Sequence, residues 1–169
     1  RESIDLFDSL AKSNNCRIVH SCGFDSVPSD IGVLKLQKKA LQKFGKPCDK
    51  IRLYARSMKG GLSGGTIESM INISSYINSR PELSGLLADP YALNPDGELL
   101  NGPDGQSLRS VKWDKTMEFW ICPFVMSGIN TRIVRRSNAL MGFLYGDSFM
   151  YSEVYSFNRG FFGFINSLS

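Results

Sequence analysis

A chain of 169 residues, 42% apolar and 21% charged, has the material for one ordinary core and the composition of a folded protein. Its net charge of +4 is mild, and its basic residues are spread along the chain apart from Lys35-Lys38-Lys39 and Arg132-Arg135-Arg136. These clusters read as solvated helix faces, so no nucleic-acid partner is expected. No apolar run approaches the ~20 residues of a membrane helix.

Arg1-Glu2-Ser3-Ile4-Asp5 carries no apolar signal core, and the missing initiating Met suggests a piece of a longer chain. Cys16, Cys22, Cys48 and Cys122 form no CxxC pair, and one histidine, His20, is too little to complete a zinc set. Buried free thiols in a reducing, cytoplasmic compartment are expected, with no metal site.

Ile4, Phe7, Leu10 and Ala11 predict a helix over 2–13, stopped by Asn14 and Asn15. Cys16 to Ser21 reads as a short buried strand, with His20 a structural residue on it. Gly23 to Asp30 is then a loop entering a second helix. Asp25, Ser26 or Ser29 suits its first N–H groups, and Pro28 its first turn. Ile31, Leu34, Ala40, Leu41 and Phe44 mark a core face that ends at Gly45 and Pro47. Ile51, Leu53 and Ala55 alternate with Arg52, Tyr54 and Arg56 as in a half-buried strand.

A glycine-rich run, 59–65, leads to a helix from Thr66 with Ile67, Met70, Ile71, Ser74 and Ile77 on one face. Pro81 and Pro90 bracket a short helical stretch. Asp89 to Ser110 is irregular, because turn dipeptides recur and apolar anchors are few. A strand at 117–124 ends near Pro123. A helix at 130–144 follows, with Ile133, Leu140 and Leu144 inward and its arginines elsewhere. Phe149 to Phe157 is an aromatic strand, and Phe161, Phe164, Ile165 and Leu168 form a last apolar stripe. The fold class expected is α+β: a mixed, mostly antiparallel sheet covered by helices. The opening helix and strand look like the closing half of an α/β unit whose beginning is missing.

Three stretches together resemble the saccharopine dehydrogenase-like oxidoreductases, a family that includes trans-acting enoyl reductases. They are Cys22-Gly23-Phe24-Asp25-Ser26-Val27-Pro28-Ser29-Asp30-Ile31-Gly32, Ser63-Gly64-Gly65-Thr66 with Ser69, and Asn130-Thr131-Arg132-Ile133-Val134-Arg135-Arg136-Ser137-Asn138-Ala139-Leu140. The resemblance implies a two-domain enzyme using NADP or NAD. Residues 1–24 would be the tail of its truncated Rossmann domain, and 25–169 a substrate and oligomerisation domain incomplete at its C-terminus. The GxGxxG phosphate loop is absent, so no cofactor is expected to bind this fragment, which is expected to be inactive alone. Saccharopine dehydrogenases proper carry a Cys-Gly-Asp-Pro-Gly-like turn. Here the turn reads Cys22-Gly23-Phe24-Asp25-Ser26, which points away from saccharopine as substrate.

The resemblance places Cys22, Gly23, Phe24, Asp25 and Ser26 beside the cofactor. It places Pro28, Ser29, Asp30, Gly64, Gly65, Thr66, Asn130 and Arg132 beside a small-molecule or acyl substrate. Helix starts offer unpaired N–H groups, Gly23 permits close backbone approach, and Arg132 brings a planar fork for an anion. No catalytic residue is assigned. A homo-oligomer, most simply a dimer through the aromatic strand and the terminal stripe, is expected. A non-catalytic module meeting a membrane or a partner is the alternative.

Overall fold

The structure is a computed structural model that describes residues 2–56, 64–80, 85, 88–95, 102–103 and 107–160. Within them run α1 (Glu2–Ser13), α2 (Val27–Phe44), β1 (Lys50–Ala55), α3 (Gly64–Asn78), β2 (Lys112–Asp114), β3 (Phe119–Pro123), α4 (Ser127–Leu140) and β4 (Met150–Ser156). The strands form one sheet in the order β1-β4-β3-β2. β2 pairs antiparallel with β3, Trp113 opposite Trp120, and β3 with β4, Cys122 opposite Tyr155. Met150 N–H donates to the Asp49 carbonyl and Ser156 Oγ to the Ala55 carbonyl, so β1 and β4 advance in the same direction. The sheet is mixed and the class is α+β, as expected.

The chain divides into two compact units. One comprises Arg1–Leu53, Tyr91–Ser107 and Val125–Glu153; the other comprises Tyr54–Pro90, Leu108–Phe124 and Val154–Ser169. The first has a core of Val33 from α2, Val134 from α4, Tyr145, Phe149 and Tyr151, with Leu34, Ile51 and Leu53 against it. Tyr145 and Phe149 meet edge to face at 5.3 Å between centroids. The second is built on Phe119, Ile121 and Val154, with Tyr54 and Leu108 packed on them.

Helix α2 forms where expected, with Ala40 buried and Leu34 packed on the core, but Ser29, Val33 and Gln37 join the buried face while Ile31 and Phe44 are exposed. The reason is Gln37. Its Nε2 donates to the Cys48 carbonyl at 2.9 Å, and the Cys48 N–H donates to its Oε1 at 2.8 Å. Both polar atoms are satisfied inside the fold, so a buried amide fixes the rotation of the helix better than an apolar edge. Gly45 closes α2 in the left-handed region, φ 70, with its N–H on the Leu41 carbonyl.

Helix α4 spans Ser127–Leu140 rather than 130–144, and Leu140 and Leu144 are exposed. Its buried face is largely polar and includes Asn130, Thr131, Arg135 and Asn138. Asn138 ends it: its Nδ2 donates to the Gly146 carbonyl at 2.9 Å, and its Oδ1 accepts the Tyr145 N–H at 2.8 Å. The chain therefore wraps into turns where the periodicity predicted more helix.

Residues 16–21 do not form the predicted strand. No strand among the described residues pairs with them, and Ile18 and Val19 are exposed. Helix α3 begins at Gly64 rather than Thr66, and its Ile71 is exposed instead of inward. The side chains of Thr66, Ile67, Met70, Ser74 and Ile77 lie outside the description. β2 was not expected: the Asp114 carboxylate accepts the N–H groups of Thr116 and Met117, closing a turn into β3. Tyr91, Ala92 and Asn94 are buried within the stretch expected to lack anchors. Arg135 lies over the Tyr91 ring at 5.2 Å, and a Cβ on Gly102 would collide with the Tyr91 hydroxyl. The 161–168 stripe and most of the Pro81–Pro90 stretch lie outside the described residues.

Candidate functional site

Three elements of the first unit converge on Asn130, which is 1% exposed in the first turn of α4. Its Oδ1 accepts the Ser26 hydroxyl at 2.9 Å. Its Nδ2 reaches the Asp25 carbonyl at 2.9 Å, Glu153 Oε2 at 3.1 Å and Ser29 Oγ at 3.3 Å. Glu153, on β4 and 2% exposed, accepts a second bond on Oε1 from Tyr151 Oη at 2.7 Å. The start of α2, the start of α4 and β4 are thus tied by one amide.

Asp30 adds a second carboxyl. Its Oδ2 accepts the Ser137 hydroxyl at 2.9 Å, while Oδ1 and the Tyr145 hydroxyl have no hydrogen-bond partner among the described residues. Burial raises the Asp30 pKa above the ordinary Asp range, and the Ser137 bond opposes it. Burial, reinforced by the Asp30 charge, pushes Tyr145 up to about 12. Tyr151 is raised further, by burial first and then by the charge of Glu153 and the bond to it. Both phenols stay protonated, and Tyr151 donates to Glu153. Among the residues of this cluster there is no thiol or imidazole, so its chemistry is that of a rigid hydrogen-bonded frame.

The frame holds a turn. Ser26 and Val27 N–H groups fold back onto the Gly23 carbonyl, and Cys22, Gly23, Phe24 and Asp25 are exposed, Phe24 at 88%. A Cβ on Gly23 would meet only Asp25 N at 4.0 Å, so nothing in the fold demands glycine there. Ser26, one of the three residues expected to cap α2, makes no side-chain cap; its hydroxyl donates to Asn130 instead.

Of the residues singled out from the sequence, Asp25, Ser26, Ser29, Asp30 and Asn130 come together, with Pro28 exposed at the α2 start. Arg132 does not join them: its guanidinium turns back to the Gly128 carbonyl. Gly64 and Gly65 open α3 in the other unit. Tyr145, Tyr151, Ser137 and Glu153 escaped the sequence reading. The signal for two of them was present, since Tyr151 and Glu153 stand two apart on one strand and so share a face. His20 is exposed beside Ser3 Oγ at 3.3 Å. All four cysteines are unpaired; Cys16 and Cys22 are exposed rather than buried. No helix of the described residues is long and apolar enough to cross a membrane, and no metal-holding group of acidic, His or Cys residues occurs among them.

No protein-family profile matches the chain, and no solved structure matches it significantly. A Mycobacterium tuberculosis H37Rv protein provisionally named a trans-acting enoyl reductase is 44% identical over 161 residues, covering 92% of this chain and 38% of the relative. Proteins named trans-acting enoyl reductase from Mycobacterium bovis BCG and Mycobacterium leprae are 37% identical over 165 residues, 94% of this chain and 40% of theirs. Nearly all of this chain is therefore similar to about two-fifths of the length of proteins that carry the trans-acting enoyl reductase name.

Proposed function

We propose that the chain is the substrate-binding and oligomerisation part of a nicotinamide-dependent enoyl reductase of the saccharopine dehydrogenase-like type. The whole protein moves hydride from NADPH or NADH to the C=C bond of an acyl thioester, in a reducing cytoplasm. The observation that carries this reading is the exposed Cys22–Asp25 turn held from behind by Asn130: two stretches of the family-like sequence, about a hundred residues apart, meet in one frame. The names of the relatives supply the reaction class.

In this reading residues 1–24 close the dinucleotide-binding domain and 25–169 form the substrate domain. Cys22, Gly23, Phe24 and Asp25 face the nicotinamide, and Pro28 and the start of α2 face the acyl group. Ser26, Ser29 and Asn130 position them. The cofactor supplies the hydride, and the protein orients and excludes water. The exposed Leu6, Phe7 and Leu10 of α1, with Ile18, Val19 and Phe24, support the assignment, since a neighbouring domain is what such surface is made to meet.

NADPH and NADH titrated into this chain, and into a longer chain matching the relatives in length, test the proposal. The longer chain is expected to bind one of them and to consume it with an enoyl thioester. A longer chain that oxidises neither with any enoyl thioester overturns the reading. Micromolar binding to the 169-residue chain alone moves the cofactor site.

A further inference from the structure

The net positive charge of this chain arises in one stretch. Val33 to Arg52 holds seven of its twenty Lys and Arg residues and, in Asp49, only one of its sixteen acidic residues, so the remainder is slightly acidic. Lys35, Lys38, Lys39 and Lys43 are exposed on α2, whose buried side is Val33, Gln37 and Ala40, and Lys46 and Lys50 are exposed beyond it. Lys35 and Lys39, and Lys39 and Lys43, are like charges one turn apart, an arrangement that works against the helix. The only acidic residue of α2, Asp30, is in its first turn and bonded to Ser137. None of the six lysines forms an ion pair among the described residues. A merely solvated helix face interleaves both signs; this one does not. Leu36 and Phe44, 56% and 65% exposed, stand among the lysines as apolar anchors do within an interface.

We infer that the lysine face of α2 docks an acidic protein surface. Resting on the enoyl-reductase reading, that surface is the carrier that presents the acyl thioester in trans. A membrane fits less well, because Leu36 and Phe44 are the only exposed large apolar residues of the lysine-bearing stretch and do not make the wide apolar face that lies among headgroups. Nucleic acid fits less well because the patch offers Lys without the Arg forks and stacking aromatics of such sites, Phe44 being its one aromatic. Lysines on a smooth helix give long-range attraction and orientation, which suits brief docking of a mobile donor.

The test is binding of the 169-residue protein to an acidic acyl carrier protein loaded with a crotonyl chain, at low and at high salt. The expected result is measurable binding that salt weakens and that K35E/K38E/K39E/K43E weakens about tenfold or more, with the corresponding glutamine variant intermediate. Phosphatidylglycerol vesicles and a DNA duplex serve as rival probes. No carrier binding, carrier binding unmoved by the charge reversal, or tighter binding to either rival probe overturns the inference. Reduction of free crotonyl-pantetheine by the longer chain separates the two levels. If that reaction proceeds while the carrier does not bind, the docking inference alone fails. If the carrier binds through the lysines while no thioester is reduced, the reductase reading fails and the acidic-protein docking stands.

Discussion

Asn130 offers two amide hydrogens to three acceptors, and the Ser29 contact at 3.3 Å is the longest of the three. Asn130→Ala removes all of these bonds and leaves the buried Ser26 hydroxyl and one oxygen of the buried Glu153 without that partner. A loss of about 2–3 kcal/mol is expected in denaturant unfolding; a loss below about 1 kcal/mol would show that the frame is decoration. The two phenols should behave oppositely. Tyr151→Phe removes a donor to a buried carboxylate and is expected to cost about 1.5–3 kcal/mol. Tyr145→Phe removes a hydroxyl with no partner among the described residues and is expected to stay within about 0.5 kcal/mol of the parent.

Asp30 gives a pH dependence of definite sign. Its folded pKa lies above its unfolded one, near 3.8, so the folded state holds the proton more tightly. Its contribution is fully favourable below that unfolded value and is lost as pH rises through the folded one. Asp30→Asn cannot ionise and keeps an acceptor for Ser137. Its stability relative to the parent is therefore expected to rise between pH 3 and pH 7. A flat difference across that window, read from unfolding midpoints, contradicts the assignment.

At the scale of elements, the closure of α2 depends on a residue that tolerates φ 70 and on the Gln37–Cys48 exchange. Gly45→Ala is expected to cost about 1 kcal/mol by thermal unfolding, from the left-handed strain alone, since a Cβ there meets nothing within 4 Å. The elements that the sequence made legible are those whose signal is local: α1, α2, β1 and β4 by periodicity and caps, β3 by its stop at Pro123. What was not legible depended on partners. Cys16–Ser21 is apolar enough for a strand, but hydrophobicity does not supply the neighbour whose hydrogen bonds make one. β2 is three residues long, too short to show alternation. The inward face of α4 was sought among leucines, whereas the fold buries Asn130, Thr131, Arg135 and Asn138 because each amide or hydroxyl there finds a bond. The same limit governs the site. Gly23–Asp30 and Asn130 stood out in the sequence, but the bonds that tie Ser137 to Asp30 and Glu153 to Asn130 join side chains up to 107 positions apart, meeting only after the helices dock on β4.

At the scale of the whole molecule the apolar surface is unevenly spent. Leu6, Phe7 and Leu10 run along one side of α1 at 64%, 51% and 59% exposure, and Ile18, Val19 and Phe24 follow at 63%, 70% and 88%. Each large side chain left in water forgoes about 1.5–3 kcal/mol of burial, so six of them are comparable to the whole stability of a typical domain if something covers them. Two coverings are open to this chain: a second copy, or a neighbouring domain of a protein as long as its relatives. Leu6→Lys with Leu10→Lys separates them. In the 169-residue protein the pair is expected to change unfolding stability by less than about 0.5 kcal/mol per site, because both side chains already lie in water. If a second copy covers α1, light scattering at micromolar concentration will show the parent at a multiple of 18.8 kDa and the variant as a monomer. If a neighbouring domain covers it, the same two lysines will leave the assembly of the short chain unmoved. They will then lower the stability of the longer chain by several kcal/mol, since each lysine must leave water or hold the domains apart. A longer chain indifferent to both substitutions removes α1 from the domain boundary altogether.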